Sequence, residues 1–398
     1  MDPVERFLCL ASYEKGHDFV RQCAEMSVKV TVLTLDKHRD GAWPHESLEE
    51  LVSMPAGLNR EQILNTVSWM ARSKRFDRVI ALHEFDLETA AQIREHMRVP
   101  GMGATTAGCY RDKLAQRVIA GAFGYHVPEF CRVLNYDEIR DYVARVPGPW
   151  LLKPRTNTAI AGGRKIENAD QLWRALEELG DAQSRFILEK VVHGDTFHVD
   201  SIVSGGEVRF AVVSRSKVRP LQPPRTDEIF TTCMVDRDSR DAKQLIAINR
   251  DLAPSLGMAR GVTHARFLRS RADGSHYFLE IGARVGGAYV DQVVEAATGV
   301  NLWREWAKLE VGELRGTPYA GPDARDGYAG AVVCTWRFTE PDVDAVADPE
   351  IAARIRGDHE SGLIVQARDA ARVQTLVDNY AARFEGEMAA SDAARPIF

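Results

Sequence analysis

Three short stretches carry residue types suited to phosphate and carboxylate chemistry. In LLKPRTNTAIAGGRKI, Lys153 ends an apolar strand, and a loop of small and hydroxylic residues that includes Thr158 closes on Gly162 and Gly163. A fixed cation beside free backbone N–H groups suits phosphate, although the spacing is not a Walker P-loop and a plain surface β-turn has the same composition. In FILEKVVHGDTFHVD, a strand ends in Glu189 and Lys190, a crossover passes through Val192 and Gly194, and a new strand opens with His198. Such a hinge exposes backbone groups and an acidic side chain beside an apolar slot for an adenine ring. His198 either reaches a ribose or phosphate there or serves as a structural residue. In HYFLEIGARVGGAYVD, Glu280 and Gly282 share one strand face, Arg284 follows, and Gly286 with Gly287 lets a substrate approach the backbone closely. A hard oxygen ligand, a guanidinium and a glycine pair suit metal-bound phosphate and a carboxylate. A glycine turn with a surface Glu–Arg pair is the plain alternative.

These groups need elements to hold them. RFLCLAS, VKVTVLTL and DRVIAL are short β-rich runs separated by helical stretches at His17 to Met26 and Asn59 to Arg72, the alternation of a parallel sheet. Residues 1–110 therefore read as an open α/β domain. His83 and Glu84 directly follow its strand VIAL, where an open parallel sheet places ligand groups, or else they form a solvated loop before a helix at Asp86. A helix predicted over Tyr110 to Ala120 carries Asp112 and Lys113. VPEFCRV and PWLLKP read as strands around a helix at Asp137 to Arg145, and another helix covers Ala169 to Leu179. RFILEKVV, FHVDSIVS and EVRFAVVS predict antiparallel sheet, with a Gly205-Gly206 turn in one connection. GVTHARFLRS and HYFLEIG flank the turn Ala272 to Gly274 and predict a hairpin. Helices at Val290 to Thr298 and Leu302 to Glu310, strands at GAVVCTW and GLIVQA, and a helix running to Phe384 complete an α/β plus α+β chain.

Composition narrows the function classes. With 398 residues and 45% hydrophobic content the chain has room for two to four units with real cores. Fifty-one Lys and Arg against 57 Asp and Glu leave a charge of -6, with no basic excess to drive binding to nucleic acid or anionic membrane. Six cysteines without a Cys-x-x-Cys pair predict reduced thiols rather than a zinc ribbon or disulfide framework. MDPVER mixes acid with base, FLCLA is short, and no run approaches a membrane span, so a soluble cytoplasmic protein is expected.

Lysine on a helix, lysine on a strand, glycine loop, Glu-Lys hinge, hairpin carboxylate and then Arg-Gly-Gly is an order that resembles the ATP-grasp superfamily, from about Arg111 to Glu310. Within it the chain is most similar to carboxylate-amine ligases typified by bacterial L-amino-acid ligases, and more distantly to biotin carboxylase. The resemblance implies an ATP-grasp fold behind an N-terminal pre-ATP-grasp domain (1–110). It divides the rest into a small subdomain (111–184), a large subdomain (185–312) and a C-terminal α/β subdomain (313–398). It implies ATP and Mg²⁺ (or Mn²⁺) as cofactors, small-molecule carboxylate and amine substrates, and a homodimer. Lys113 and Lys153 then contact ATP, Glu189, Lys190 and Val192 form the adenine hinge, and His198 contacts the nucleotide. Glu280 bridges magnesium, Arg284 holds the carboxylate and its phosphorylated form, and Glu84 faces the substrate. Lys217, Arg219 and Arg225 fall where relatives build part of the acceptor pocket, and either bind an anionic group or form a solvated loop.

One departure stands out. The family's His-x-Glu before the hairpin turn, whose Glu is a second metal ligand, is here His264-Ala265-Arg266. With a three-residue turn at Ala272 to Gly274, Arg266 is expected opposite Glu280, where an opposite-charge pair is worth about 0.2 to 1 kcal/mol. Three outcomes follow: the guanidinium takes the place of one Mg²⁺, His264 or another group recruits the metal, or catalysis has decayed and ATP only shapes a regulatory or interaction protein. A bicarbonate-activating carboxylase component is a further alternative within the fold.

Overall fold

The apolar runs at the start of the chain pair in parallel, as their alternation with helices predicts. The computed structural model describes residues 4–157, 162–217, 228–336, 340–357 and 359–393. β1 (Arg6–Ala11), α1 (His17–Glu25), β2 (Lys29–Leu35), β3 (Glu50–Met54), α2 (Arg60–Met70), β4 (Arg78–Ala81) and α3 (Leu87–Met97) form one layered unit with strand order β3-β2-β1-β4. β1 is central and almost wholly buried, which is why it reads as a continuous apolar run. β3 is absent from the sequence prediction because ELVSM is a half-polar edge strand, recognisable only through its pairing with β2. Asn59 and Gln62 close a reciprocal capping box on α2.

The helix predicted over Tyr110 to Ala120 is two helices, α4 (Ala104–Arg111) and α5 (Lys113–Ala122). Asp112 divides them: its backbone is extended and its carboxylate accepts from Leu114 N at 2.9 Å as an N-cap. Lys113 thereby becomes the first residue of α5. β5 (Phe130–Arg132), α6 (Tyr136–Arg145), β6 (Trp150–Pro154), β7 (Arg164–Ile166), α7 (Ala169–Leu179) and β8 (Phe186–Lys190) follow, with the strands in an antiparallel sheet ordered β5-β8-β6-β7. Trp150, Leu152, Leu172 and Leu188 fill the core between this sheet and its helices.

β8 ends the small sheet and β9 opens the large one, so the chain changes sheets across 191–193. The large sheet contains β9 (Gly194–Ser204), β10 (Glu207–Lys217), β11 (Glu228–Met234), β12 (Gly261–Ser270) and β13 (His276–Gly282), with α8 (Arg240–Ser255) between β11 and β12. After α9 (Val290–Thr298) and α10 (Leu302–Leu314), the strands β14 (Tyr328–Thr335), β15 (Ile351–Gly357) and β16 (Glu360–Ala367) extend the same sheet, and α11 (Ala370–Ala393) covers it. The order is β13-β12-β9-β10-β11-β14-β16-β15. β11, α8 and β15 are further elements that the sequence pattern does not reveal.

The β12–β13 hairpin brings Arg266 opposite Glu280 as expected, but by a different route. Near the turn, Arg269 pairs with His276 and Ser270 N bonds to Ser275 O, so the loop is Arg271 to Gly274 rather than three residues. A bulge beyond Phe267–Phe278 places Leu279 as the extra residue and restores the expected pair. All six cysteines are free, and no described helix is long and apolar enough to cross a membrane.

Candidate active site

Three buried or part-buried carboxylates each lie between two cations, and two of them, Glu84 and Glu280, line one cavity. Glu189 on β8 receives Lys153 Nζ from neighbouring β6 at 2.6 Å and Arg117 Nε from α5 at 2.7 Å, on different oxygens. Glu280 on β13 receives Arg266 Nη1 from β12 at 2.8 Å and Lys113 Nζ from the start of α5 at 3.3 Å. Glu84, just past β4, accepts from Arg111 Nη1 at 2.8 Å on one oxygen and from Arg284 Nε on the other. Arg111, Lys113 and Arg284 against Glu84 and Glu280 leave that cavity positive, although the whole chain is acidic.

Burial sharpens these charges. Lys153 is pushed down to about 8 by burial, with Arg117 adding to the fall and Glu189 opposing it. Burial alone raises the Glu189 and Glu280 carboxyls, but the flanking cations outweigh it and hold both below the usual range. The Arg117 side chain is wholly buried, lies over the Phe278 ring, and its Nη atoms have no hydrogen-bond partner among the described residues. Glu189 is therefore its principal counter-charge.

Several expectations change. The Glu189 side chain does not face a ligand slot: strand alternation turns it inward between Lys153 and Arg117, and only the hinge backbone remains available there. Lys190 pairs with Glu129 at 3.2 Å, and Lys190 to His193 line a cavity of about 570 Å³ with the hairpin turn. His198 is not free to contact a nucleotide, because Nδ1 meets Asp200 at 2.6 Å and Nε2 meets Thr232 Oγ1 at 2.9 Å. Lys217 pairs with Asp378 on α11 at the surface. Thr158, Arg219 and Arg225 lie outside the described residues. Gly162 adopts φ 76°, a left-handed turn conformation that favours glycine.

Gly286 does bring the backbone close, but to protein: a Cβ there would lie 2.8 Å from Asp200 Oδ1 and 3.0 Å from His264 Nδ1. Gly287 is open, with Lys15 Nζ 3.8 Å from the corresponding position. His83 stacks on Tyr13 with ring centroids 4.4 Å apart, and burial, aided by Lys15, pushes it down to about 4. Arg284, Glu84, Lys113, Glu280 and His264 share one small cavity.

Sequence reasoning missed Arg117, Arg111, Lys15 and Asp200. Arg117 follows Lys113 by four residues on the same face of α5, and Asp200 follows His198 by two on the same face of β9, so periodicity held a signal for both. Arg111 belongs to the helix that Asp112 ends, and its meeting with Glu84 depends on α4 packing beside the end of β4. Lys15 lies in a turn and has no periodic signal.

The donor set fits one magnesium ion rather than two. Glu280 is the single carboxylate on the hairpin's two strands, and the position across from it presents a guanidinium, which cannot ligate metal. Mg²⁺ commonly binds through one carboxylate with substrate phosphates and water completing its shell, so Glu280 suffices for one ion.

A parallel α/β unit followed by two antiparallel sheets around a lysine- and carboxylate-lined cleft is the ATP-grasp fold, and this chain has it. It is 22% identical over 244 residues to the L-arginine-specific L-amino acid ligase of Bacillus subtilis, a match covering 59% of this chain and 58% of that protein. The chain therefore spans less than two thirds of that relative's length. An L-amino acid ligase from Bacillus licheniformis superimposes with a TM-score of 0.72 at 16% identity, covering 95% of this chain and 97% of that one. The biotin carboxylase domain of Hydrogenobacter thermophilus 2-oxoglutarate carboxylase, solved with MgADP, ADP and bicarbonate, gives 0.68 at 15% identity, covering 92% and 87%. No protein-family model matches the chain.

Proposed function

We propose that the chain is an ATP-dependent ligase that phosphorylates a small-molecule carboxylate and passes the acyl phosphate to an amine, releasing ADP and phosphate. The observation that carries this reading is the set of three carboxylates each held between two cations, two of which, Glu84 and Glu280, line one cavity. Each cluster retains a net positive charge, so the site attracts a polyanion while staying preorganised, the main electrostatic requirement of phosphoryl transfer. Lys113 and Lys153 neutralise phosphate oxygens, the hinge backbone at Lys190 to Val192 borders the base, and the backbone N–H groups of Gly162 and Gly163 face the phosphates. Glu280 would hold Mg²⁺, which would supply charge neutralisation at the terminal phosphates. Residues 111–184 and 185–312 act as the two jaws on the nucleotide, and residues 1–110 present the substrate end.

The Glu84–Arg284 pair favours an amino acid as the activated substrate. An α-amino acid carries a carboxylate and an ammonium on one carbon, and these two side chains offer the complementary charges side by side. A second reading rests on Arg266: its contact with Glu280 also suits a protein that binds ATP without turnover. Coupled ADP-release measurements across the proteinogenic L-amino acids, with Mg²⁺ and ATP, separate the two. Substrate-stimulated release supports the ligase, whereas tight ATP binding with no stimulated release by any amino acid sinks it and favours the second reading.

The depressed Lys153 gives a pH prediction. Phosphate favours the charged ammonium, so binding raises the lysine's pKa, and affinity falls as pH climbs past the free protein's value of about 8. Calorimetric titration with ATP from neutral to alkaline pH is expected to show weakening of up to about tenfold per pH unit above that point. In Lys153→Arg the decline disappears, since arginine keeps its charge across the range.

A further inference from the structure

The ligase reading leaves one proton without an acceptor: at neutral pH the attacking amine is an ammonium and must lose a proton before its lone pair can attack. A buried cluster beside Arg284 has the construction for that task. His198 and Asp200 share one face of β9, and β12 pairs in a register that sets His264 opposite Asp200. Asp200 is fully buried and uses both oxygens, Oδ2 toward His198 Nδ1 at 2.6 Å and Oδ1 toward His264 Nδ1 at 2.8 Å.

An ionised carboxylate only accepts, so this network assigns a proton to Nδ1 of both rings. Each Nε2 then carries the lone pair. His198 Nε2 spends it on the Thr232 hydroxyl at 2.9 Å. His264 Nε2 has no hydrogen-bond partner among the described residues, and His264 lines the cavity that holds Lys113, Glu280, Glu84 and Arg284. The close fit of Gly286 against Asp200 and His264 fixes the Arg284–Gly286 segment to the same cluster. Burial lowers the His264 pKa, with Asp200 opposing and Arg284 and His198 adding to the fall, which keeps the ring neutral and able to accept.

We propose that His264, oriented by Asp200, is the general base for amide formation; this rests on the ligase reading above. The amine nitrogen's lone pair forms the C–N bond to the acyl carbon, and the bond from that carbon to the phosphate oxygen breaks with its electron pair leaving on phosphate. Before that attack His264 Nε2 takes one proton from the ammonium; the second proton leaves the nitrogen as the amide forms and goes to the departing phosphate, and His264 then releases its own to phosphate, restoring the neutral ring. Asp200 is a positioning residue that holds the required tautomer.

The two half-reactions separate the roles. The full-length protein is supplied with MgATP and an L-amino acid that stimulates ADP release, and the acyl phosphate is captured either by hydroxylamine, already unprotonated at neutral pH, or by L-alanine. His264→Asn is expected to keep hydroxamate formation within about threefold of wild type while amide formation falls about 10²- to 10⁴-fold, the range of general acid–base catalysis. Equal loss of both products, or loss of neither, overturns the assignment. If His264→Asn does not fold, Asp200→Asn carries the same test, because an amide donor facing the rings reverses a tautomer without removing bulk. The same three side chains lie close enough to hold a metal ion. A stoichiometric transition metal in the purified wild-type protein, lost in either variant, also overturns the proposal. Wild-type protein that yields no hydroxamate overturns the ligase reading itself.

Discussion

Replacing Arg284 by Lys is expected to lower carboxylate-stimulated ADP release by about 10²- to 10³-fold while ATP affinity stays within about threefold of wild type. Arg284 reaches Glu84 through Nε and the Val285 carbonyl through Nη1 at 3.0 Å, which fixes the guanidinium plane in the cavity that Lys113 and Glu280 also line. A lysine ammonium keeps the charge but loses the planar fork that holds a carboxylate in two parallel hydrogen bonds. The loss is therefore one of alignment, felt most where the carboxylate oxygen must meet the terminal phosphate in line. Steady-state ADP release read beside calorimetric ATP binding checks this. Parallel losses in both would assign Arg284 to the nucleotide instead of the carboxylate.

The second large effect concerns folding. Glu189→Ala is expected to destabilise the protein by about 3 to 5 kcal/mol, the usual cost of stranding a buried partner. Both Lys153 and Arg117 would lose their nearest counter-charge, and Arg117, wholly buried with unpartnered Nη atoms, has no other carboxylate in salt-bridge range of its guanidinium among the described residues. Urea unfolding of wild type and variant measures the difference, and a change below about 1 kcal/mol would mean that the pair is as weak as a surface bridge. The pH dependence has a definite sign. The Glu189 carboxyl is held below its ordinary value of 4.5, so its contribution is complete above that value and lost as pH falls through the depressed one. Glu189→Ala should accordingly lose less stability than wild type on acidification below that point.

Legibility of the site in the sequence differs from residue to residue. Lys153, Glu280 and Arg284 lie on or just past strands whose period-2 pattern and flanking turns are local, so their placement follows from a few neighbouring residues. The Arg266–Glu280 pair shows the limit of that logic: the turn is one residue longer than the pattern implies, and a bulge at Leu279 compensates. Glu189 and His198 occupy the right elements but face protein. Their side chains are claimed by Lys153, Arg117, Asp200 and Thr232, groups that alternation within a single strand cannot weigh against a ligand.

The sequence by itself determined the order of the chemistry along the chain: two lysines, a glycine loop, a hinge, a hairpin carboxylate and an arginine before two glycines. That order depends on local spacing, and with it come the nucleotide-binding fold and the reading of a cationic slot in an acidic protein. Only the tertiary structure decided how the charges are shared. Glu84 meets Arg284 across 200 residues of chain, and Asp200 meets His264 across 64. Arg117 reaches Glu189 from a helix onto a strand of another layer. A buried ion chooses its partner by the nearest opposite charge in three dimensions, because desolvation makes an unpaired charge costly, and that distance is set by the packing of whole elements rather than by the residues on either side.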